Sequence, residues 1–226
     1  TDAGYNMERF FLCPGIMQRT LQYVRPVMSL DAAHLKSQWK GILYLATVKT
    51  GSDKLYVVAM GVTRDNENEE GWRWFLEQLS RVKILTADHP RPSVRYKYFT
   101  FVSDRQKDLI NALNDVFPQN HATFCSIHIA RNVQTNFGKK VSKFVHHVAA
   151  TFWKREAASW MDSVVKLSKP AREYLDGIPP HQWKSTEWLD DIGLPPRYGM
   201  VTTNISESVN HMIQKARDGS WLFTLD

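Results

Sequence analysis

Two long apolar runs on either side of a short polar turn constrain the fold of this chain most. Residues 42–48 and 55–62 are almost entirely apolar, and the turn sequence Thr-Gly-Ser-Asp lies between them. Apolar runs of this length that flank a turn predict a β-hairpin. A shorter apolar run over residues 27–30 follows Pro26 and predicts a strand before the hairpin. The first part of the chain therefore predicts a meander of three strands.

Helical and strand patterns alternate after this meander. Apolar spacings of three and four predict a helix with one face formed by Trp72, Phe75, Leu76, Leu79 and Val82. Further along, the patterns predict a strand over 98–103, a helix over 106–116, a short strand over 122–124 and a helix over 127–137. A meander followed by alternating strands and helices predicts an α/β fold with a mixed sheet, and the ribonuclease H-like arrangement is one such fold.

Residues 139–189 show helical periodicity alone, interrupted by prolines. We interpret this stretch as an all-helical insertion that precedes a last helix starting near Asn204. The predicted organisation is an N-terminal extension (1–24), the first part of the core (25–138), the helical insertion (139–195) and the end of the core with its final helix (196–226).

Asp31 and Asp104 follow the first and fourth predicted strands. If these strands are parallel neighbours, both carboxylates emerge at one sheet edge, where open α/β sheets place their sites. Two close carboxylates repel each other unless cations neutralise them, and Mg²⁺ or Mn²⁺ suits such oxygen ligands. A pair of these ions can stabilise the attacking and leaving oxygens of a phosphoryl transfer. The alternative for each aspartate is a turn or helix-capping role.

Glu207 is the third acid that the sequence suggests for this site. Residues 204–207 also fit a capping box, with Asn204 as the cap. Glu187 and Asp191 remain alternatives for the third acid.

Four blocks of sequence, taken in order, resemble the transposases of Mutator-like elements (MULE). They are DAAHLK with GILYLAT after it, EEGWRWFLEQL, FVSDRQKDLINALNDVFPQNHATFCSIHIARN, and TTNISESVN. The resemblance implies a ribonuclease H-like catalytic domain whose DDE motif, Asp31, Asp104 and Glu207, binds two Mg²⁺ or Mn²⁺ ions. It also implies cut-and-paste DNA transposition, with transposon ends and target DNA as partners, and a helical insertion between the second and third acids. A homo-oligomer is left open.

Basic side chains near the acids suggest contacts with DNA. His34, Lys36 and Arg105 adjoin the two aspartates and can bind phosphates, or they are ordinary solvated side chains. The basic residues at the start of the insertion predict either a DNA-facing surface or a solvated helix face: Lys139, Lys140, Lys143, Lys154 and Arg155. The tryptophans of the insertion are expected to pack in a core: Trp153, Trp160, Trp183 and Trp188.

Cys125 and His128 have the spacing of half a zinc site. His146, His147 or Cys13 would have to supply the remaining ligands. The alternative is that Cys125 packs as a small apolar residue and that His128 forms a hydrogen bond near the active site.

Composition agrees with a nucleic-acid enzyme without establishing one. The net charge of +6 favours a polyanionic partner, and the two cysteines favour a reducing compartment. We expect the nucleus, and we expect no membrane span because the sequence has no sufficiently long apolar run. Two other functions remain: a domesticated transposase domain that binds DNA or protein without cutting, and a ribonuclease H-like nuclease that acts on RNA.

Overall fold

A computed structural model describes residues 8–36, 40–82, 99–188 and 197–203, together with Ser208, Val209, His211 and Gln214. Its centre is a six-stranded sheet in the order β1-β4-β3-β2-β5-β6. The strands are β1 (Arg9–Leu12), β2 (Val24–His34), β3 (Ile42–Thr50), β4 (Leu55–Thr63), β5 (Thr100–Ser103) and β6 (His121–Phe124). Within this described part no helix is long and apolar enough to cross a membrane.

The sheet is mixed, with an antiparallel half and a parallel half. Strands β1 to β4 pair antiparallel with their neighbours, which confirms the predicted meander of β2, β3 and β4. Strand β5 pairs parallel with β2, and β6 pairs parallel with β5. A six-stranded mixed sheet flanked by helices confirms the predicted fold class and is consistent with a ribonuclease H-like fold.

Two helices cover one face of the sheet. They are α2 (Glu69–Ser80) and α3 (Lys107–Val116), which follow a short first helix, α1 (Gly15–Thr20). Helix α2 lies unusually close to the strands because glycines stand at the contact. A Cβ atom at Gly71 would come within 2.2 Å of the Tyr44 hydroxyl, and one at Gly61 within 2.6 Å of the Phe75 ring. Tyr44, Trp72 and Phe75 are fully buried in this core.

The opposite face of the sheet is covered by the last described residues. Val209, which is helical and buried, packs against Leu43, Leu45 and Val62. Farther along the sheet, Met200 packs in a cluster with Val27 and Val102. Residues near the end of the chain therefore return across the sheet on the side away from α2.

The chain after β6 is helical throughout the part described up to residue 188. Its helices are α4 (Ser126–Phe137), α5 (Lys139–Ala150), α6 (Lys154–Leu167) and α7 (Lys169–Asp176), and two 3-10 turns follow at Pro180–Gln182 and Ser185–Trp188. The helical character predicted for 139–189 is confirmed as far as the described residues extend. These helices enclose a core around the fully buried Trp183, and Ile129 and Val133 of α4 belong to the same core.

The N-terminal residues contribute more structure than the sequence indicated. Strand β1 forms the outer edge of the sheet by pairing with β4 over Arg9 to Leu12, although no strand was predicted there. Its four residues are at best half-buried, so the segment lacks the long apolar run that made the other strands recognisable.

Candidate active site

Asp31 lies inside β2 and not at its end, which corrects the position predicted from the sequence. Strand β2 continues to His34 because its last residues keep pairing with β3, where Ala32, Ala33 and His34 face Tyr44, Leu43 and Ile42. The short apolar run did not show this extension, since two alanines and a histidine give little strand pattern. The Asp31 side chain is half-buried.

The parallel pairing of β2 with β5 sets Asp31 level with Asp104. Ser29 pairs with Val102 in the register between these strands, and an extension by two residues aligns the two aspartates. The paired register ends at Ser29 and Val102, so each aspartate lies two residues beyond that last pair, at the same edge of the parallel part of the sheet. Although β2 runs on, the parallel part of the sheet ends here, because β5 stops at Ser103.

Asp104 is held at the start of the loop that leads into α3. Its Oδ1 accepts a hydrogen bond from the Gln106 backbone N–H at 3.1 Å. The Gln106 side chain in turn accepts a hydrogen bond from the Trp72 indole N–H at 2.8 Å. Trp72 belongs to the buried core, so the loop after Asp104 is tied to helix α2.

Glu67 is an acid near this site that was not predicted from the sequence. It is half-buried, and its Oε1 accepts a hydrogen bond from the Trp72 indole at 3.2 Å. Burial raises the pKa of Glu67, and the nearby charge of Asp104 adds to that rise, while Trp72 and His34 oppose it. A glutamate two residues before a helix carries no distinctive pattern, so only the fold reveals its proximity to Asp104.

Cys125 joins three segments that are distant in sequence. Its backbone N–H donates to the Ser103 carbonyl at 2.7 Å, and its sulfur accepts a hydrogen bond from the Thr203 N–H at 3.2 Å. The next residue, Ser126, donates its N–H to the Val201 carbonyl at 2.8 Å. We call these five residues the Cys125 junction. It connects the strand that precedes Asp104 to the segment that precedes Glu207.

His128 completes this arrangement one helical turn after Cys125. Its Nδ1 lies 3.4 Å from the Thr203 hydroxyl. Burial acts to raise the pKa of the Cys125 thiol, but hydrogen bonds with His128 and Thr203 outweigh it and lower that pKa. The hydrogen bond with Cys125 raises the pKa of His128, and the charge of Asp104 adds to this rise. Burial alone would lower that pKa. The Cys-x-x-His motif thus lies beside the candidate site.

The residues considered as further zinc ligands have other contacts. The His146 ring lies 3.0 Å from the Ser126 hydroxyl, and His147 stacks on Trp160. Cys13 packs against the core beneath α2. No group of three or more histidines, cysteines or acids in the described segments is arranged to hold a metal ion. Cys125 itself is fully buried, as expected of a small packed residue.

The basic residues near the aspartates differ in their surroundings. His34 and Lys36 are exposed at the end of β2. Arg105 is half-buried, donates to the Tyr174 hydroxyl at 2.8 Å and lies over the rings of Phe124 and Tyr174. These contacts favour a structural role for Arg105 between the sheet and α7. DNA contacts by all three remain predictions.

The structure describes only one of the three candidates for the third acid. Glu207 and Asp191 lie outside the described residues, whereas Glu187 is half-buried in the last 3-10 turn. On either side of Glu207 in the sequence, Thr203 lies at the Cys125 junction and Val209 packs against β3. Glu207 as the third ligand therefore remains a prediction.

Comparison with known proteins agrees with this geometry. Residues 27–132 match the family model of the MULE transposase domain, and the match includes Asp31, Asp104, Cys125 and His128. No curated protein matches the chain. The match suggests a transposase-related function. The match over 27–132 supports the resemblance to the MULE transposase family that the four ordered sequence blocks show.

Proposed function

We propose that this chain is the catalytic domain of a nuclear DNA transposase that cuts and joins DNA strands with the help of divalent metal ions. The observation that carries the proposal is the parallel pairing of β2 with β5, because Asp31 and Asp104 each lie two residues beyond its last pair, Ser29 with Val102. Both aspartates lie within the segment that matches the MULE transposase domain. Glu207 is proposed as the third acid.

The donor set fits Mg²⁺ or Mn²⁺ in its chemistry. Asp31 and Asp104 offer carboxylate oxygens, which hard divalent cations prefer. A cation bound between the two aspartates would also offset the repulsion between their negative charges. When bound there, the ions would activate the attacking hydroxyl and neutralise charge on the phosphate.

The residues around the aspartates hold the site in place. The Gln106 N–H fixes one oxygen of Asp104, and the other accepts no hydrogen bond from the described residues. Trp72 keeps Gln106 in position through its indole N–H. The Cys125 junction fixes the end of β5 and the segment before Glu207 relative to each other.

Two phosphoryl transfers make up the proposed reaction. Water first attacks the phosphorus of a phosphodiester at the transposon end, and the 3′-oxygen leaves and takes up a proton. The freed 3′-hydroxyl then attacks a phosphodiester of the target DNA, loses its proton and displaces the 3′-oxygen of the target strand. One bond to phosphorus forms and one breaks in each step.

Strand cleavage by variants of the acids tests this proposal. Asp31→Asn and Asp104→Asn keep the size of each side chain but lose its charge, so nicking of duplex DNA in Mn²⁺ should fall by at least about 10³-fold, in keeping with the share of catalysis that electrostatic stabilisation carries. Nicking by Glu207→Gln should fall by a similar factor. Asp162 is an exposed acid on α6, so Asp162→Asn is the matched control and should cut DNA as the wild type does.

The same assay separates the proposal from its alternatives. Wild-type cleavage by Asp31→Asn or Asp104→Asn would refute the assignment. A folded wild type that binds DNA but never cuts it would indicate a domesticated module. Preference for an RNA–DNA hybrid over duplex DNA would indicate a nuclease that acts on RNA. Near-normal cleavage by Glu207→Gln alone would leave that residue as a cap and direct attention to Glu187 or Asp191.

A further inference from the structure

The turn between α5 and α6 exposes two adjacent aromatic side chains. Trp153 is 75% exposed and Phe152 is 46% exposed, although a tryptophan in this insertion was expected to pack in a core. Trp183 does pack in that way, whereas the prediction for Trp153 was wrong. Adjacent apolar rings on the surface, unlike single scattered ones, are a candidate contact site for a partner.

The turn is well defined by its own hydrogen bonds. The backbone N–H of Trp153 donates to the Thr151 hydroxyl at 3.2 Å. That hydroxyl also donates to the Glu156 carboxylate, one turn into α6. Because the backbone on both sides of Trp153 is anchored, the ring is presented from a fixed position, which lowers the entropic cost of binding.

The turn lies where a long stretch of sequence without negative charge ends, just before Glu156. Residues 116–155 contain no aspartate or glutamate but include six lysines and arginines. Lys154 and Arg155 directly follow Trp153, and both are exposed. Three more lysines are exposed on α5: Lys139, Lys140 and Lys143. This charge is complementary to a phosphate backbone.

The turn also lies at the end of the helical region that adjoins the candidate site. The His146 ring contacts Ser126, the first residue of α4, so α5 runs antiparallel to α4 and returns to its start. From His146 to the end of α5 at Ala150 the helix advances only about 6 Å. Cys125, which precedes α4, is bonded to Ser103 beside Asp104. The exposed turn therefore follows a helix that returns to the start of α4, which adjoins the strand end that precedes Asp104.

We propose that Trp153 stacks on an unpaired base of the DNA bound at this site, while Lys154 and Arg155 bind the adjoining phosphates. The inference rests on the proposed function, because it names the part of the DNA that the helical region contacts. An aromatic ring can stack only on a base whose face is accessible, and a base inside a duplex has both faces covered. An exposed tryptophan between basic residues is therefore suited to a single-stranded extension next to a duplex.

Binding measurements in EDTA test the inference without any cleavage. We would compare a blunt duplex with the same duplex carrying a short single-stranded extension, each followed by fluorescence anisotropy. Trp153→Ala should weaken binding of the extended DNA about tenfold, as the loss of one base stack does, and should change blunt-duplex binding less than about twofold. Trp153→Phe should restore most of the affinity, because phenylalanine keeps a ring face.

Two further variants serve as controls. Tyr23→Ala removes another exposed aromatic ring, 63% exposed, at the far end of β2 and should leave both affinities unchanged. A double variant, Lys154→Gln with Arg155→Gln, should weaken binding of both DNAs. The slope of log affinity against log salt concentration should become shallower by roughly one to two, because one or two fewer phosphates are neutralised.

Three results would overturn the inference. In the first, Trp153→Ala binds the extended DNA as tightly as the wild type; in the second, it loses affinity for both DNAs equally. In the third, the substitution dissociates a dimer, which would make the turn a contact between copies of the chain. The proposed function is judged separately, because it stands if Asp104→Asn abolishes cutting whatever Trp153→Ala does to binding.

Discussion

At the scale of single residues, Glu67 is a partly buried acid whose charged form is disfavoured beside the candidate site. Burial and the charge of Asp104 raise the pKa of Glu67, so the folded chain holds this proton more tightly than the unfolded chain does. The contribution of such a group to the unfolding free energy is fully present at low pH. It is lost as the pH rises from the ordinary carboxyl range through the raised pKa.

Glu67→Gln removes this loss of stability at higher pH, because glutamine still accepts the Trp72 hydrogen bond and carries no charge. We expect the variant to unfold at a higher urea concentration than the wild type at neutral pH in EDTA. The difference should shrink as the pH falls towards the ordinary glutamate pKa of about 4.3. Equal stability of the two proteins at neutral pH, or a difference that grows on acidification, would contradict this account. Glu77→Gln, an exposed change on α2, is the control.

The residues of the candidate site were predictable to different degrees. Asp31 and Asp104 follow apolar runs, and this pattern is visible in the sequence alone. Glu67 was missed because its relation to Asp104 depends on how α2 packs on the sheet. Arg105 adjoins Asp104 in sequence, yet its guanidinium binds Tyr174, which is 69 residues away. Contacts over such separations leave no trace in local spacing.

At the scale of elements, the Cys125 junction links the end of β5, the start of α4 and residues 201–203. Cys125→Ala deletes the sulfur and leaves the buried Thr203 N–H without its acceptor, which costs about 1–3 kcal/mol of unfolding free energy. Cys125→Ser supplies an oxygen acceptor and should recover part of this loss. Urea denaturation measures both, and hydrogen exchange in residues 197–203 should quicken most in the alanine variant.

Cys13→Ser provides the matched control for the junction, because Cys13 is the other free cysteine and is only half-buried. Its effect on exchange in residues 197–203 should be negligible. If Cys125→Ala is as stable as the wild type and exchanges no faster there, the thiol does not hold this segment.

The sequence predicted the elements with long apolar runs better than those at the margins of the sheet. Strands β3 and β4 and helices α3 and α4 lie within a residue or two of their predicted bounds. The last residues of β2 and all of β1 are strands because a partner strand offers them hydrogen bonds, and not because of their own composition. Pairing with a neighbour is a tertiary effect that periodicity does not show.

At the scale of the whole molecule, the helical region shares its core with an element that is fixed to the sheet. Ile129 and Val133 of α4 pack in the cluster that contains Trp183, and α4 begins at the Cys125 junction. Trp183→Ala should lower the unfolding free energy by about 3–5 kcal/mol, as the loss of a fully buried tryptophan does. Because α4 belongs to both parts, we expect one cooperative transition.

Circular dichroism and near-ultraviolet absorbance, followed through the same urea titration, check this expectation. In each protein, wild type or variant, coincident curves from the two probes support a single unit. Separate transitions, with the helical signal lost first, would show instead that residues 139–195 unfold as a domain of their own. Trp153→Ala, on the exposed turn, should change the unfolding free energy by less than about 0.5 kcal/mol.

The Cys125 junction also bears on the order of events during synthesis. It joins residues 78 positions apart, and ribosomes deliver them in sequence from the N-terminus. A growing chain that already contains both aspartates still lacks the Thr203 N–H that binds the Cys125 sulfur. The nascent protein therefore cannot close this connection until its later residues have emerged, so the candidate site is completed at a late stage of translation.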